Sequence, residues 1–290
     1  MSMEQDWTVL VSHPAFQSGV APLALAWLAT GAWRLWGRGQ PGSGMAGLAV
    51  GLGLLASALL LIGLPTQPPF GATQKLVLLV GVGILCGAAL ELHAVAVGIR
   101  RALVIGLFLV ASLWLAWPQL ERGALSWPVG LVVVACAALL YWLAAPRRRT
   151  ADDAVQLILI ASGIAGVAVL SGSLVMAQLA AALALATAGF LFWNWPRPRD
   201  MVTGLLLGAW LPAFLLALTT VLLSSAPPRS LAPLILVFAL APAIRRLWQA
   251  HGRWPEAWPP LVLLVVGSIP VALAVVMAML VESGDDAYYR

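Results

Sequence analysis

Residues 154–193 read AVQLILIASGIAGVAVLSGSLVMAQLAAALALATAGFLFW and contain no charged side chain. An α-helix rises about 1.5 Å per residue, so about 20 apolar residues cross the roughly 30 Å hydrocarbon core of a bilayer. This stretch is too long for one crossing, and Ser171, Gly172 and Ser173 lie near its middle. It therefore predicts two membrane-spanning helices joined by a tight hairpin.

The same criterion, applied to the whole chain, predicts an all-α fold: a polytopic bundle of about ten transmembrane helices. The segments between the spans are too short to hold a soluble domain, so residues 1–290 form a single integral membrane domain. The Arg147–Arg149 loop also separates two groups of five spans, residues 1–146 and 150–290, of opposite orientation, as in many transporters. The predicted spans are Phe16–Trp36, Met45–Leu64, Leu76–Ile99, Ala102–Trp117, Trp127–Ala145, Ala154–Ser171, Ser173–Trp193, Met201–Ser224, Ser230–Trp248 and Pro260–Val281.

The composition agrees with a membrane location and excludes a soluble fold. Hydrophobic residues make up 62% of the chain and charged residues 9%, whereas soluble domains have about 45–50% apolar and about 25% charged residues. The net charge of +5 comes from 15 arginines and one lysine that lie mostly between apolar runs. A nucleic-acid partner is not indicated, because that would require a clustered basic surface.

The distribution of basic residues predicts the orientation of the chain. Cytoplasmic loops are enriched in Lys and Arg, and placing the N-terminus outside puts twelve of the 16 basic residues on the inner side. Both termini then lie on the outer side. The preference for Arg over Lys, with abundant Ala, Gly and Leu, is typical of a GC-rich bacterial genome and predicts a bacterial inner membrane. The four outer residues are Lys75, Arg122, Arg229 and Arg290.

Glu91 is the acidic residue that lies well inside a predicted span, on a helix face that it shares with Gly83 and Gly87. Small residues let another helix approach, which would bury the carboxyl group. Two roles follow: a proton-coupling site, or a structural carboxylate paired with an arginine such as Arg34 or Arg101. His93 lies about 200° around the helix from Glu91, so we expect a singly hydrogen-bonded histidine or, alternatively, a proton relay.

Three further residues are candidate functional positions inside the membrane. Pro212 and Pro270 interrupt their helices, and in transporters such broken helices often line cavities, although kinks that serve packing are common. Gln178 is one of the few polar side chains available to such a cavity.

Sequence motifs for catalysis, cofactors or metal ions are not found. Phosphate-binding loops, nucleophile elbows and HExxH are absent, and Cys86 and Cys136 are single cysteines inside apolar runs, where small core residues are expected. Intramembrane catalysis, for example on lipids, would have to recruit loop residues such as Arg197 and Asp200. We therefore favour a non-enzymatic role without a cofactor.

Two functions fit these features. The first is a small permease that moves a small apolar or weakly polar solute, with Glu91 as a proton-coupling or packing group. In helix count and short loops, and in architecture alone, the chain resembles small permeases such as the drug/metabolite transporters, although those usually keep the N-terminus inside. The second is a non-catalytic subunit or assembly factor of a membrane complex. The expected surroundings are the lipid bilayer and either a membrane protein partner or further copies of the chain.

Overall fold

The computed structural model describes residues 13–36, 43–65, 68, 70–93, 95–124, 126–145, 151–195, 203–224, 226–251 and 258–286, and within these ranges the chain forms ten helices and no strand. Four of these helices begin with or contain non-α turns. The helices are α1 (π-helical Phe16–Val20, then Ala21–Trp36), α2 (3-10 Ser43–Gly47, then Leu48–Ile62), α3 (Ala72–Leu92), α4 (Val97–Glu121), α5 (Trp127–Leu143), α6 (Ala151–Leu170), α7 (Leu174–Asn194), α8 (Thr203–Leu205, π-helical Leu206–Trp210, then Leu211–Leu223), α9 (3-10 Pro228–Leu234, then Ile235–His251) and α10 (Trp258–Asp286).

The predicted fold class is confirmed: the chain is an all-α, multi-pass helix bundle. Eight of the ten described helices are long and apolar enough to cross a membrane, and the other two are α1 and the 17-residue α5. The predicted hairpin is also present, because α6 ends at Leu170 and α7 begins at Leu174. Gly172 adopts a φ of 75°, a left-handed conformation that glycine accepts at little cost.

Two predicted spans differ from the observed helices at both ends by four residues or more. The span expected at Leu76–Ile99 is α3, which ends at Leu92, and the short span expected at Ala102–Trp117 is α4, which has 25 residues. The predicted limits were wrong because they were set at charged residues. In the structure, Lys75 and the pair Arg100 and Arg101 lie inside the first turns of α3 and α4, where their side chains have hydrogen-bond partners.

Helix α8 occupies the centre of the bundle. Its segment Leu206–Leu223 is 89% buried, whereas the apolar segment of α10 is 28% buried. The π-helical turn of α8 packs against α2 and α3, and the rest of the helix packs against α4, α5, α6 and α7. On one side of this centre lie α1 and α2, which pack on α7. On the other side lie α9 and α10, which pack on α6.

Pro22 interrupts α1, and a neighbouring helix compensates for the interruption. The preceding turn, Phe16–Val20, is π-helical, so its hydrogen bonds join residues five apart. Proline has no N–H, and therefore the carbonyl of Gln17 lacks its donor. The buried hydroxyl of Ser57 in α2 donates to that carbonyl over 2.6 Å. This hydrogen bond gives the Gln17 carbonyl a donor in place of the missing proline N–H, and it links α2 to α1.

Pro118 has the corresponding effect on α4. It removes the N–H that would bond to the carbonyl of Trp114, four residues earlier. The Lys75 ammonium group donates to this carbonyl over 2.9 Å and lies 5.4 Å from the centre of the Trp114 ring system. Lys75 is thus buried in an apolar bundle because a proline on the next helix provides an acceptor and an aromatic face.

Two further prolines have a side-chain hydrogen bond nearby that does not replace the missing N–H. Each bond goes to the carbonyl five residues before the proline, whereas a proline in an α-helix leaves the carbonyl four residues before it without a donor. These hydrogen bonds run from Gln156 Nε2 to Val237 O (3.0 Å) before Pro242 and from Ser268 Oγ to Val265 O (2.6 Å) before Pro270.

Pro212 is compensated differently, by glycines. The π-helical turn Leu206–Trp210 precedes it, and the carbonyl of Leu207 lacks its donor. A Cβ atom on Gly83 would lie 2.9 Å from this oxygen, and a Cβ atom on Gly51 would lie 2.8 Å from the oxygen of Gly208. Only glycine fits at such distances, and its Cα–H groups point at the carbonyl oxygens. The glycines therefore allow α2 and α3 to approach the interrupted turn of α8.

Candidate functional site

Glu91 lies in the last turn of α3, whereas the sequence predicted a position well inside a span. It shares its helix face with Gly83 and Gly87, which contact α8. Its Oε1 accepts a hydrogen bond of 2.9 Å from the backbone N–H of Gly204. Gly204 is in the first turn of α8, where N–H groups have no partner within the helix and a negative charge is favourable. The half-buried carboxylate thus caps a neighbouring helix.

The arginines considered as partners of Glu91 bind elsewhere. Arg34 donates to the side-chain oxygen of Asn194 at the end of α7, and Arg101 donates to the carbonyl of Ala144 over 3.3 Å. Arg101 also lies over the ring of Tyr141, with 5.0 Å between the guanidinium carbon and the ring centre. Within the described part of the chain, Glu91 has a backbone amide as its hydrogen-bond partner and not a cation.

His93 is exposed immediately after α3, and the structure does not bring it together with Glu91. Its backbone is extended, and its Nδ1 is 2.9 Å from the carbonyl oxygen of Ala89 one turn earlier. Gln178 is half-buried in α7 without a hydrogen bond to the described part of the chain. Pro212 and Pro270 are buried within α8 and α10. These candidate positions therefore do not form one cluster.

An ion pair that the sequence did not indicate joins α6 and α9. Asp152 and Asp153 lie in the first turn of α6, and both are buried, although the predicted span began after them. Arg245 of α9 forms a salt bridge with Asp152. The sequence did contain a signal for this site, because two acidic residues precede an apolar run. Acidic side chains are favourable in the first turn of a helix, at the positive end of its dipole. No group of three potential metal ligands occurs within the described ranges.

Six of the polar contacts between helices lie at helix ends and form two sets at opposite ends of the bundle, here named the Glu91 end and the Lys75 end. Each contact joins helix ends that the alternating path of the chain places on the same side. The Glu91 end has Glu91 to Gly204, Arg101 to Ala144, Arg34 to Asn194 and Asp152 to Arg245; the Lys75 end has Lys75 to Trp114 and Gln119 to Leu222.

A groove of about 670 Å³ opens between α5 and α9, with α6 and α8 behind it. This volume is in the range of small-molecule sites, about 300–1,000 Å³. Phe214 and Phe238 line it and stack with ring centres 6.2 Å apart. Small side chains, Ala135 on α5 and Ala217 on α8, leave the space between the helices open. The other lining residues are Trp127, Pro128, Leu131, Val132, Cys136, Leu139, Ile160, Ile164, Pro227, Pro228, Arg229, Leu231, Ala232, Leu234 and Ile235.

The groove is apolar except at its mouth. Arg229 is the charged residue in its lining, and it lies with Trp127 and Pro228 at the Lys75 end. Glu91, His93, Gln178, Pro212 and Pro270 are not part of the lining. Polar residues inside the spans do not reveal this groove, because its walls consist of apolar side chains contributed by four helices.

The capping role of Glu91 predicts how substitutions affect stability. Glu91→Ala should lower the free energy of unfolding by about 0.5–2 kcal/mol, the usual effect of losing a cap. Glu91→Gln should lose less, because an amide oxygen still accepts from Gly204. Arg122→Ala, at an exposed position just after α4 and without a side-chain hydrogen bond in the described ranges, is the control. Unfolding in detergent, followed by intrinsic fluorescence, measures the differences. Equal stability of Glu91→Ala and wild type would contradict the role.

Comparison with protein-family models, with curated proteins and with solved structures gives no match to this chain. Its function must therefore be inferred from the residues and the geometry described above.

Proposed function

We propose that this multi-pass membrane protein is a small permease-like transporter whose solute is apolar or amphiphilic and reaches the groove from the side. The observation that carries the proposal is the 670 Å³ groove between α5 and α9. The groove offers few polar groups, so binding there depends mainly on apolar contact. Apolar walls favour a solute that also partitions into the lipid bilayer.

In this proposal Glu91 has a structural role. Its carboxylate holds the first turn of α8, and it is not part of the groove lining. The wall formed by α9 is better suited to movement than the centre of the bundle. It begins with the 3-10 segment Pro228–Leu234 and contains Pro242, so its backbone departs from a regular α-helix at two points.

A second function, a subunit or assembly factor of a membrane complex, is favoured by the outer face of α4. Gly98, Ala102 and Gly106 follow one another at four-residue spacing and are all exposed. A Cβ atom on Gly98 or Gly106 would meet nothing within 4 Å. Small-residue faces of this kind allow close helix association in membranes. A transmembrane helix of a partner, or of a second copy, would cover this face.

We also propose that the Glu91 end faces the cytoplasm of a bacterial cell and that both termini lie outside, in the inner membrane. The support is the predominance of arginines in the segments at that end, which include Arg34, Arg100, Arg101 and Arg245.

Labelling of single cysteines tests this orientation. With Cys86 and Cys136 replaced by Ala, a cysteine at Ala124, exposed after α4, should react with a membrane-impermeant maleimide in intact cells. A cysteine at Ala96, exposed between α3 and α4, should react only after the membrane is permeabilised. The reverse pattern would contradict the orientation.

Filling the groove tests the transport proposal. In proteoliposomes that contain NBD-labelled phospholipid, external dithionite should reduce the probe of the inner leaflet faster than it does in protein-free vesicles. Ala135→Phe combined with Ala217→Phe should return the rate to that of protein-free vesicles, because both side chains would project into the groove. Ala138→Phe, at an exposed position of α5, should keep the wild-type rate. A wild-type protein that leaves the inner leaflet protected would refute the proposal.

A further inference from the structure

The groove has the depth of one membrane leaflet. On α5 its lining runs from Trp127 to Leu139. These twelve residue steps cover about 18 Å of helix, slightly more than half of the roughly 30 Å hydrocarbon core. One end of the groove therefore lies at the membrane surface, and the other end lies near the centre of the bilayer.

The walls of the groove are open to lipid. Trp127, Leu131 and Ile235 line the groove and are 77%, 58% and 48% exposed. In a membrane such surfaces contact acyl chains, so a bilayer lipid reaches the groove without passing through water. An extended apolar chain suits this space better than a compact polar solute, because the deep part of the lining offers no charged side chain.

Arg229 gives the mouth of the groove a positive charge. It is exposed, and no residue in the described ranges forms a hydrogen bond or ion pair with it. Glu121 also lies at the Lys75 end, at the end of α4, and its carboxylate accepts a hydrogen bond from Trp117 over 2.7 Å. A guanidinium group at the membrane surface pairs readily with phosphate oxygens.

We infer that the groove binds an anionic phospholipid, with one acyl chain between α5 and α9 and the headgroup phosphate at Arg229. This inference rests on the proposed function in one respect: it names the class of solute that the groove would handle. It depends on an apolar groove of one leaflet's depth that ends at Arg229, a cation without a partner in the described ranges.

Photo-crosslinking tests the inference as a binding question, separate from transport. The protein is reconstituted in phosphatidylcholine vesicles with a small, equal fraction of either phosphatidylglycerol or phosphatidylcholine that carries a diazirine in its acyl chain. Mass spectrometry then measures the label on peptides from α5 and α9. Wild type should show about fivefold more label from the anionic probe, the effect expected of one arginine beside an anionic headgroup.

Arg229→Gln should reduce labelling by the anionic probe to the level of the zwitterionic probe. Arg122→Gln, at another exposed position of the Lys75 end, should keep the fivefold preference. Equal labelling of the wild type by both probes, or an unchanged preference in Arg229→Gln, would overturn the inference. Specific labelling without probe movement in the dithionite assay would remove the proposed transport function and leave the lipid site in place.

Discussion

A backbone carbonyl without a donor is costly in hydrocarbon, and this constraint explains the arrangement of the helices around their prolines. The carbonyl that Pro22 leaves without a donor accepts a hydrogen bond from Ser57, and the carbonyl that Pro118 leaves without a donor accepts one from Lys75, in each case from a neighbouring helix. The same contacts that satisfy the backbone also fix which helices are neighbours. The prolines of α1 and α4 thus help to specify the packing of the bundle.

The central helix α8 depends on the same constraint and also positions the groove. Its π-helical turn is held against α2 and α3 by glycines, and Glu91 caps its first turn. Its other half carries Phe214 and Ala217, which line the groove. Successive segments of α8 therefore form the closely packed centre of the bundle and one wall of the groove. This division separates the residues that maintain the fold from those that we propose bind the solute.

Helix number and fold class could be predicted from the sequence because hydrophobic length and the positions of the arginines are local properties. The limits of α3 and α4 could not, because a buried Lys75 requires a partner on another helix. The same reason applies to Glu91, whose amide partner lies 113 residues away. The groove was not predictable, since it arises where four helices meet and its deep part is lined by apolar side chains. The five-plus-five division of the spans remains a prediction.

The most direct test of this account is a double-mutant cycle at Pro22 and Ser57. If the hydroxyl replaces the donor that proline withholds, Ser57→Ala should cost about 1 kcal/mol in the wild-type background. In the Pro22→Ala background it should cost almost nothing, because the substituted alanine supplies an N–H for the carbonyl of Gln17. The free energy of unfolding in detergent gives both values. An equal cost in the two backgrounds would show that Ser57 stabilises the bundle independently of the proline and would contradict the account.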